Sequence, residues 1–228
     1  MLADFVRAHT HLAPVPFVPE LVLYQADEPI VLWEETEAGR GAQPPPFWAF
    51  AWAGGQALAR YVLDTPDLVP GRDVLDLATG SGLVRIAAAR AGAGTVTAND
   101  IDPLAVAAAR ANAAANGVEL RLVEGDLLQS GEPYVRGRSR SSPPLGGRGA
   151  GADVVVAGDV CYSREMSGRV LAFLRRAAAR GALVLVGDPG RAYLPADGLT
   201  ARASYDVPVA EALESVAVRR TTVWQVDG

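Results

Sequence analysis

From about Gly71 onward, short apolar runs alternate with helix-like segments, and this rhythm restricts the fold more than any other property of the chain. RDVLDLA, GTVTAND, VELRLVEGD, ADVVVAGD and GALVLVGD read as five strands, and their near-continuous apolar character suits a parallel sheet buried on both faces. Between the second and third, Asp102 can cap a helix with Pro103 in its first turn and Gly117 closing it, with Leu104, Ala108, Ala111 and Ala115 on one face. Between the fourth and fifth, Met166, Val170, Phe173 and Ala177 recur at helical spacing, with Arg169, Arg175, Arg176 and Arg180 on the other side. ARASYDVPV and SVAVRRTTVWQV then follow as two extended runs without a long helix between them, a terminal antiparallel pair. The predicted fold is α/β, a Rossmann-like doubly wound sheet, mostly parallel with a C-terminal antiparallel strand pair.

Residues 1–53 read as an N-terminal cover and 54–228 as the main domain. VPFVPELVLYQADEPIVLWEETE in the cover reads as extended and proline-marked, and AQPPPFWAFAWAGG sets aromatics across the mouth of the sheet. Residues 130–152, rich in Gly, Ser, Pro and Arg, read as a flexible insertion.

With 228 residues, half of them hydrophobic, the chain can bury a full-sized core. Its formal charge of −5 builds in no footprint for nucleic acid or an anionic membrane, so small molecules or proteins are the expected partners. No apolar run approaches membrane-spanning length, and a lone cysteine, Cys161, suits a reducing cytoplasm. The sequence contains no lysine, which removes Walker-type phosphate loops, Schiff-base chemistry and lysine general bases together. His9 and His11 sit near the start without a third ligand, so no metal is expected. Both histidines sit near the N-terminus and no Gly-x-Ser-x-Gly elbow is present, which disfavours serine hydrolase chemistry.

The densest signal is Val74 to Gly82, a strand running through a glycine-containing loop into the helix LVRIAAAR. A dinucleotide site asks for a third glycine where Arg85 stands; an S-adenosylmethionine site asks for an acidic residue at the strand end, and Asp76 is there. Asp100 lies 18 residues beyond Gly82, placed for ribose hydroxyls, and Asp126 follows the third strand, placed for an adenine end. Each alone could simply cap a helix or turn a loop. Three carboxylates at consecutive strand ends suit a cationic sulfonium better than a pyrophosphate.

Through these residues the chain resembles the seven-strand S-adenosylmethionine methyltransferases. More narrowly it resembles the electron-transfer flavoprotein beta-subunit lysine methyltransferase family and its bacterial relatives. PPPFWAFAWAGGQALARYVLD, VLDLATGSGLVRIAAA, TANDIDPLAVAAARANAAANG, VVVAGDVCYS and GDPGRAYLP carry that resemblance. It implies S-adenosylmethionine held by Asp76, Ala78, Thr79, Gly80, Gly82, Asp100, Ile101, Asp126 and Leu127. Ala78 stands where many of these enzymes have a first glycine, and the arginine-rich insertion is outside the pattern. The resemblance also sets Asp159 and Tyr162 beside the methyl acceptor, consistent with a loop leaving the carboxyl end of a central strand. The competing reading makes Asp159 a helix cap and Tyr162 a core residue. Trp48 and Trp52 either shape the acceptor entrance or serve as core or lid aromatics.

The implied activity is N-methylation of a protein lysine, with the flavoprotein beta subunit as the implied substrate. The alternatives are a small-molecule amine acceptor, a protein that binds the cofactor without consuming it, and a nicotinamide-dependent oxidoreductase, which Arg85 disfavours. An open rim at the site would favour a protein acceptor, a narrow closed one a small molecule.

Overall fold

The computed structural model describes residues 2–119, 121–130 and 151–228. The predicted insertion, 130–152, falls outside the described residues except at its ends. The chain begins with α1 (Leu2–His9), an antiparallel hairpin of β1 (His11–Val15) and β2 (Val18–Gln25), and α2 (Pro29–Arg40). A 3-10 turn at Phe47–Ala49 leads into α3 (Ala53–Asp64). The main alternation follows: β3 (Asp73–Leu77), α4 (Leu83–Arg90), β4 (Thr95–Asp100), α5 (Pro103–Ala115), β5 (Arg121–Glu124), β6 (Val154–Gly158), α6 (Arg164–Ala179) and β7 (Leu183–Asp188). It closes with β8 (Leu199–Pro208), the single turn α7 (Glu211–Glu214) and β9 (Val218–Val226).

Strands β3 to β9 form one seven-stranded sheet in the order β5-β4-β3-β6-β7-β9-β8. The first five are parallel, whereas β9 runs antiparallel to β7 and to β8. The parallel core and the terminal antiparallel pair match the predicted fold. The strand order reverses at β3 and β6, so a crevice opens there at the carboxyl ends of the strands, where ligands of such sheets bind.

Alternation along the strands supplies both faces. Val74, Val154 and Val156 pack with α3 and α4, while Leu75, Leu77, Val155 and Ala157 pack with α6, through Val170, Phe173 and Leu174. Each fully buried side chain of this size contributes about 1.5–3 kcal/mol. The caps follow sequence logic: Asp102 accepts the Leu104 N–H at 2.8 Å, and Ser163 accepts the Met166 N–H at 3.2 Å.

Three expectations need correction. The second half of the extended N-terminal segment is helical, because Pro29 fits a first turn and PIVLWEETEAGR carries no further breaker until its end. β5 is not buried on both faces: it is the sheet edge, and its side chains are half-buried or exposed. Among the helix residues expected to share a face, Leu104, Ala108 and Ala111 are buried, but Ala115, in the last turn, is exposed.

The N-terminal hairpin docks on α5 through two asparagines. Asn112 Oδ1 accepts the Tyr24 N–H at 2.7 Å, and Asn116 both accepts from Val22 N and donates to Val22 O. A strand edge is thus satisfied by side-chain amides where another strand would ordinarily stand. Asn112 also donates to Ser81 O at 2.8 Å, so one residue ties the hairpin to the loop after β3. No helix among the described residues is long and apolar enough to cross a membrane.

Candidate active site

At the cofactor end, β3 delivers Asp76 into the interior, where its carboxylate accepts the Thr79 hydroxyl. Ala78 turns the chain at φ 54°, a left-handed conformation that costs an L-residue about 1–2 kcal/mol and that glycine adopts freely. This is the position where many enzymes of the resembled class have a first glycine. The loop is then pinned to β4: Thr79 N donates to Asn99 O at 2.9 Å, and Gly80 N donates to Asp100 Oδ2 at 2.9 Å. The other oxygen of Asp100 accepts the Asp102 N–H at 3.0 Å. A Cβ on Gly80 would meet open space, so the loop presents bare backbone to the crevice; one on Gly82 would press on Ala109 of α5 at 3.1 Å.

Burial pushes the Asp76 carboxyl up to about 7, opposed by the Thr79 hydroxyl and by the Arg85 charge. Burial also raises Asp100, opposed by the N–H groups of Asp102 and Gly80. Both acids are therefore ready to be stabilised by an incoming positive charge. Arg85 itself is fully buried, donates to Glu119 O at 3.0 Å, and is brought down to about 10 by desolvation. Next to Asp100, Ile101 lies 67% exposed, an apolar platform at the strand end.

Asp126 follows β5, as expected, but its carboxylate is taken up by Leu128 N, Gln129 Nε2 and Arg169. Burial alone would raise it; these donors, Arg169 foremost, hold it below the usual carboxylate range. Leu127 packs toward the α6 core. Acidic strand ends, exposed backbone at Gly80 and an open apolar side chain fit S-adenosylmethionine, a cation with a ribose and a flat base.

At the end expected to receive the acceptor, Asp159 follows β6 at φ 54°, a strained conformation for a non-glycine residue. Its Oδ2 accepts the Gly55 N–H at 3.0 Å from the first turn of α3, and its Oδ1 lies 3.3 Å from Arg191 Nη2. Capping of α6 is done by Ser163, so Asp159 is not that helix's cap. Arg191 in turn makes a two-pronged pair with buried Glu214, which also receives Arg219. Asp188, at the end of β7, is buried; its Oδ1 accepts the N–H groups of Gly190 and Arg191, each at 2.7 Å, and its Oδ2 has no hydrogen-bond partner among the described residues.

Burial lifts the Asp159 carboxyl to about 7 against the pull of Arg191 and the Gly55 N–H, and burial likewise raises Asp188. The Cys161 thiol is pushed up to about 12 by burial and by Asp188, which leaves it protonated and inert.

Tyr162 is not a core residue: it is 49% exposed, and beyond burial its hydroxyl is raised by the charge of Asp100. The loop after β6 thus lies within electrostatic reach of Asp100 at the end of β4. Tyr162 contacts Phe47 at 5.5 Å between ring centroids, and Phe47 meets Trp52 edge-on at 5.9 Å. Trp52 is held by an Nε1 bond to Phe47 O at 2.8 Å, and the Arg191 guanidinium lies 5.9 Å above its ring. Trp48 is different: only 1% exposed, it packs with Val6, Leu32 and Leu104 under the N-terminal segment. Of the two tryptophans, only Trp52 borders the crevice.

The structure therefore gathers Asp76, Thr79, Gly80, Asp100 and Ile101 at one end, and Asp159, Tyr162 and Trp52 at the other. Sequence reasoning missed Phe47, Gly55, Asp188, Arg191 and Glu214. One signal was available: Asp188 ends β7 as Asp76 and Asp100 end or nearly end β3 and β4.

The seven-stranded sheet and this pair of facing loops define an S-adenosylmethionine-dependent methyltransferase. A Streptococcus mutans protein described as an S-adenosylmethionine-dependent methyltransferase superposes with a TM-score of 0.56 at 12% identity, covering 96% of this chain and 56% of that one. A Pyrococcus horikoshii protein described as an RNA methyltransferase superposes at 0.54 and 14% identity, over 86% of this chain and 98% of that one. Residues 56–144 match the family described as ribosomal protein L11 methyltransferase (PrmA). The Xenopus laevis electron transfer flavoprotein beta subunit lysine methyltransferase is 32% identical over 229 residues, 98% of this chain and 86% of the relative. The Rattus norvegicus protein of the same name is 32% identical over 78% of this chain and 66% of its own length. The chain belongs to the electron transfer flavoprotein beta subunit lysine methyltransferase family.

Proposed function

We propose that the enzyme methylates the side-chain amine of a protein lysine, and that its substrate is the electron transfer flavoprotein beta subunit. The observation that carries this reading is the open rim: Phe47 is 42% and Tyr162 49% exposed beside Asp159, an entrance that is open among the described residues. The names of the relatives agree with it.

S-adenosylmethionine, when bound, supplies an electrophilic methyl group on a sulfonium. Asp76, Thr79, Gly80, Asp100 and Ile101 would hold it, leaving the Asp159 loop to present the acceptor. A lysine amine is neutral in only about 4 of 10,000 molecules at pH 7, so its proton must leave before attack. Asp159 and the Tyr162 ring dock and orient the nitrogen. Held there, the neutral amine would face the methyl group in line, and the proton it must lose first would pass to solvent.

The test is labelled S-adenosylmethionine with the purified enzyme and a lysate of its source cells, read by mass spectrometry. Because the chain has no lysine, every labelled lysine belongs to another protein. Label on a lysine of the flavoprotein beta subunit supports the reading. Label only in small molecules replaces it with an amine acceptor, and no label despite cofactor binding replaces it with a non-catalytic role.

A further inference from the structure

Arg191 stands where an acceptor cation would be most comfortable. Its guanidinium is 3.3 Å from Asp159 Oδ1 and above the Trp52 ring, the carboxylate and the aromatic face that would otherwise receive an ammonium group. It does not hang loosely there, because both its terminal nitrogens are bound to buried Glu214. We propose that Arg191 is a positioning residue that compensates the charge of Asp159, so that the acceptor amine docks on a carboxylate without being held as its ammonium ion. The proposal rests on the lysine reading above and deepens it.

The charges around the pair come from five elements. Asp159 leaves β6 and feels Arg191 and Asp188; Arg191 leaves β7 and feels Asp159 and Glu214 of α7. Glu214 takes Arg219 of β9 as its second partner, and Asp100 of β4 reaches Tyr162. Asp188 opposes the ionisation of Asp159, Glu214 opposes that of Asp188, and Arg191 is the cation that relieves both. A fixed positive charge favours loss of a proton from every neighbour, from the Asp159 carboxyl and from a docked ammonium alike. Both effects have one sign: removing Arg191 raises both pKa values and moves the acid limb of the reaction to higher pH.

The experiment compares the wild type with Arg191→Gln and Arg191→Lys. Carboxyl carbon-13 resonances of the protein saturated with S-adenosylhomocysteine give the Asp159 midpoint, assigned by its loss in Asp159→Asn, and kcat/KM on the protein substrate is followed across pH. In Arg191→Gln both midpoints rise by about one pH unit, which near neutral pH is roughly a tenfold loss that recovers at alkaline pH. Arg191→Lys keeps both near the wild type. Arg191→Gln combined with Glu214→Gln gives the same shift without leaving Glu214 a surplus buried charge. An unmoved Asp159 midpoint, or a loss of kcat/KM equal at every pH, overturns the proposal. Should the wild type label no lysine, the substrate reading fails by itself, and the Asp159 midpoint decides for or against the coupling.

Discussion

The two ends of the crevice are built from the same residue type and held in opposite ways. At the cofactor end Asp100 is satisfied by Asp102 N, two residues on, and by Gly80 N, while Asp76 takes the Thr79 hydroxyl three residues on. At the acceptor end Asp159 takes its partners from Gly55 and Arg191, 104 and 32 residues away. The first end closes within one β3–α4–β4 unit, its longest bond spanning 20 residues from Gly80 to Asp100. The second exists only after α3, β6, β7 and α7 have assembled, so its precision depends on the whole sheet.

The harshest test of that difference is Gly54→Ala. A Cβ there would lie 2.1 Å from Gly187 O and 2.5 Å from Asp159 Oδ2, and backbone cannot yield. The expected cost is about 3 kcal/mol or more, read as lost urea stability, with turnover failing in whatever folds. Next is Asp159→Ala, expected to lower turnover about 100-fold while S-adenosylhomocysteine affinity by calorimetry stays at the wild-type value. Unchanged turnover would remove Asp159 from the acceptor site. Asp100→Asn is its mirror image. Losing the charge that organises the Gly80 loop should weaken cofactor binding by about tenfold, with KM for the acceptor held.

A smaller effect separates the tryptophans. Trp52→Ala should raise the acceptor KM a few-fold, whereas Trp48→Phe should lower the melting temperature and leave KM alone, as buried Trp48 requires. Smallest is Ala78→Gly, where relief of a left-handed alanine outweighs the added chain entropy. We expect up to about 1 kcal/mol of added stability in a denaturant titration.

The same local-versus-distant contrast explains what could be read from the residues alone. Strand alternation, the Asp102 cap and the Asp76–Gly82 loop depend on neighbours in sequence, and each formed as its pattern indicates. Trp48 and Trp52 are four residues apart in one aromatic run, and only the cluster that Val6, Leu32 and Leu104 build around Trp48 decides which is buried. Arg191 was visible as one letter of GDPGR, but nothing nearby announces Glu214 or the Trp52 ring as its partners. β5 looked buried because its apolar letters match those of its neighbours, and edge position is a property of strand order.

The contact between Gly54 and Gly187 brings the backbones of helix α3 and strand β7 together beside Asp159, with the Leu58 side chain closing the same seam. Anyone reshaping this enzyme for a bulkier amine would find nothing to trim at those two positions. Altered selectivity must instead come from the exposed aromatic border at Phe47, Trp52 and Tyr162, where substitutions change the doorway and leave the masonry untouched.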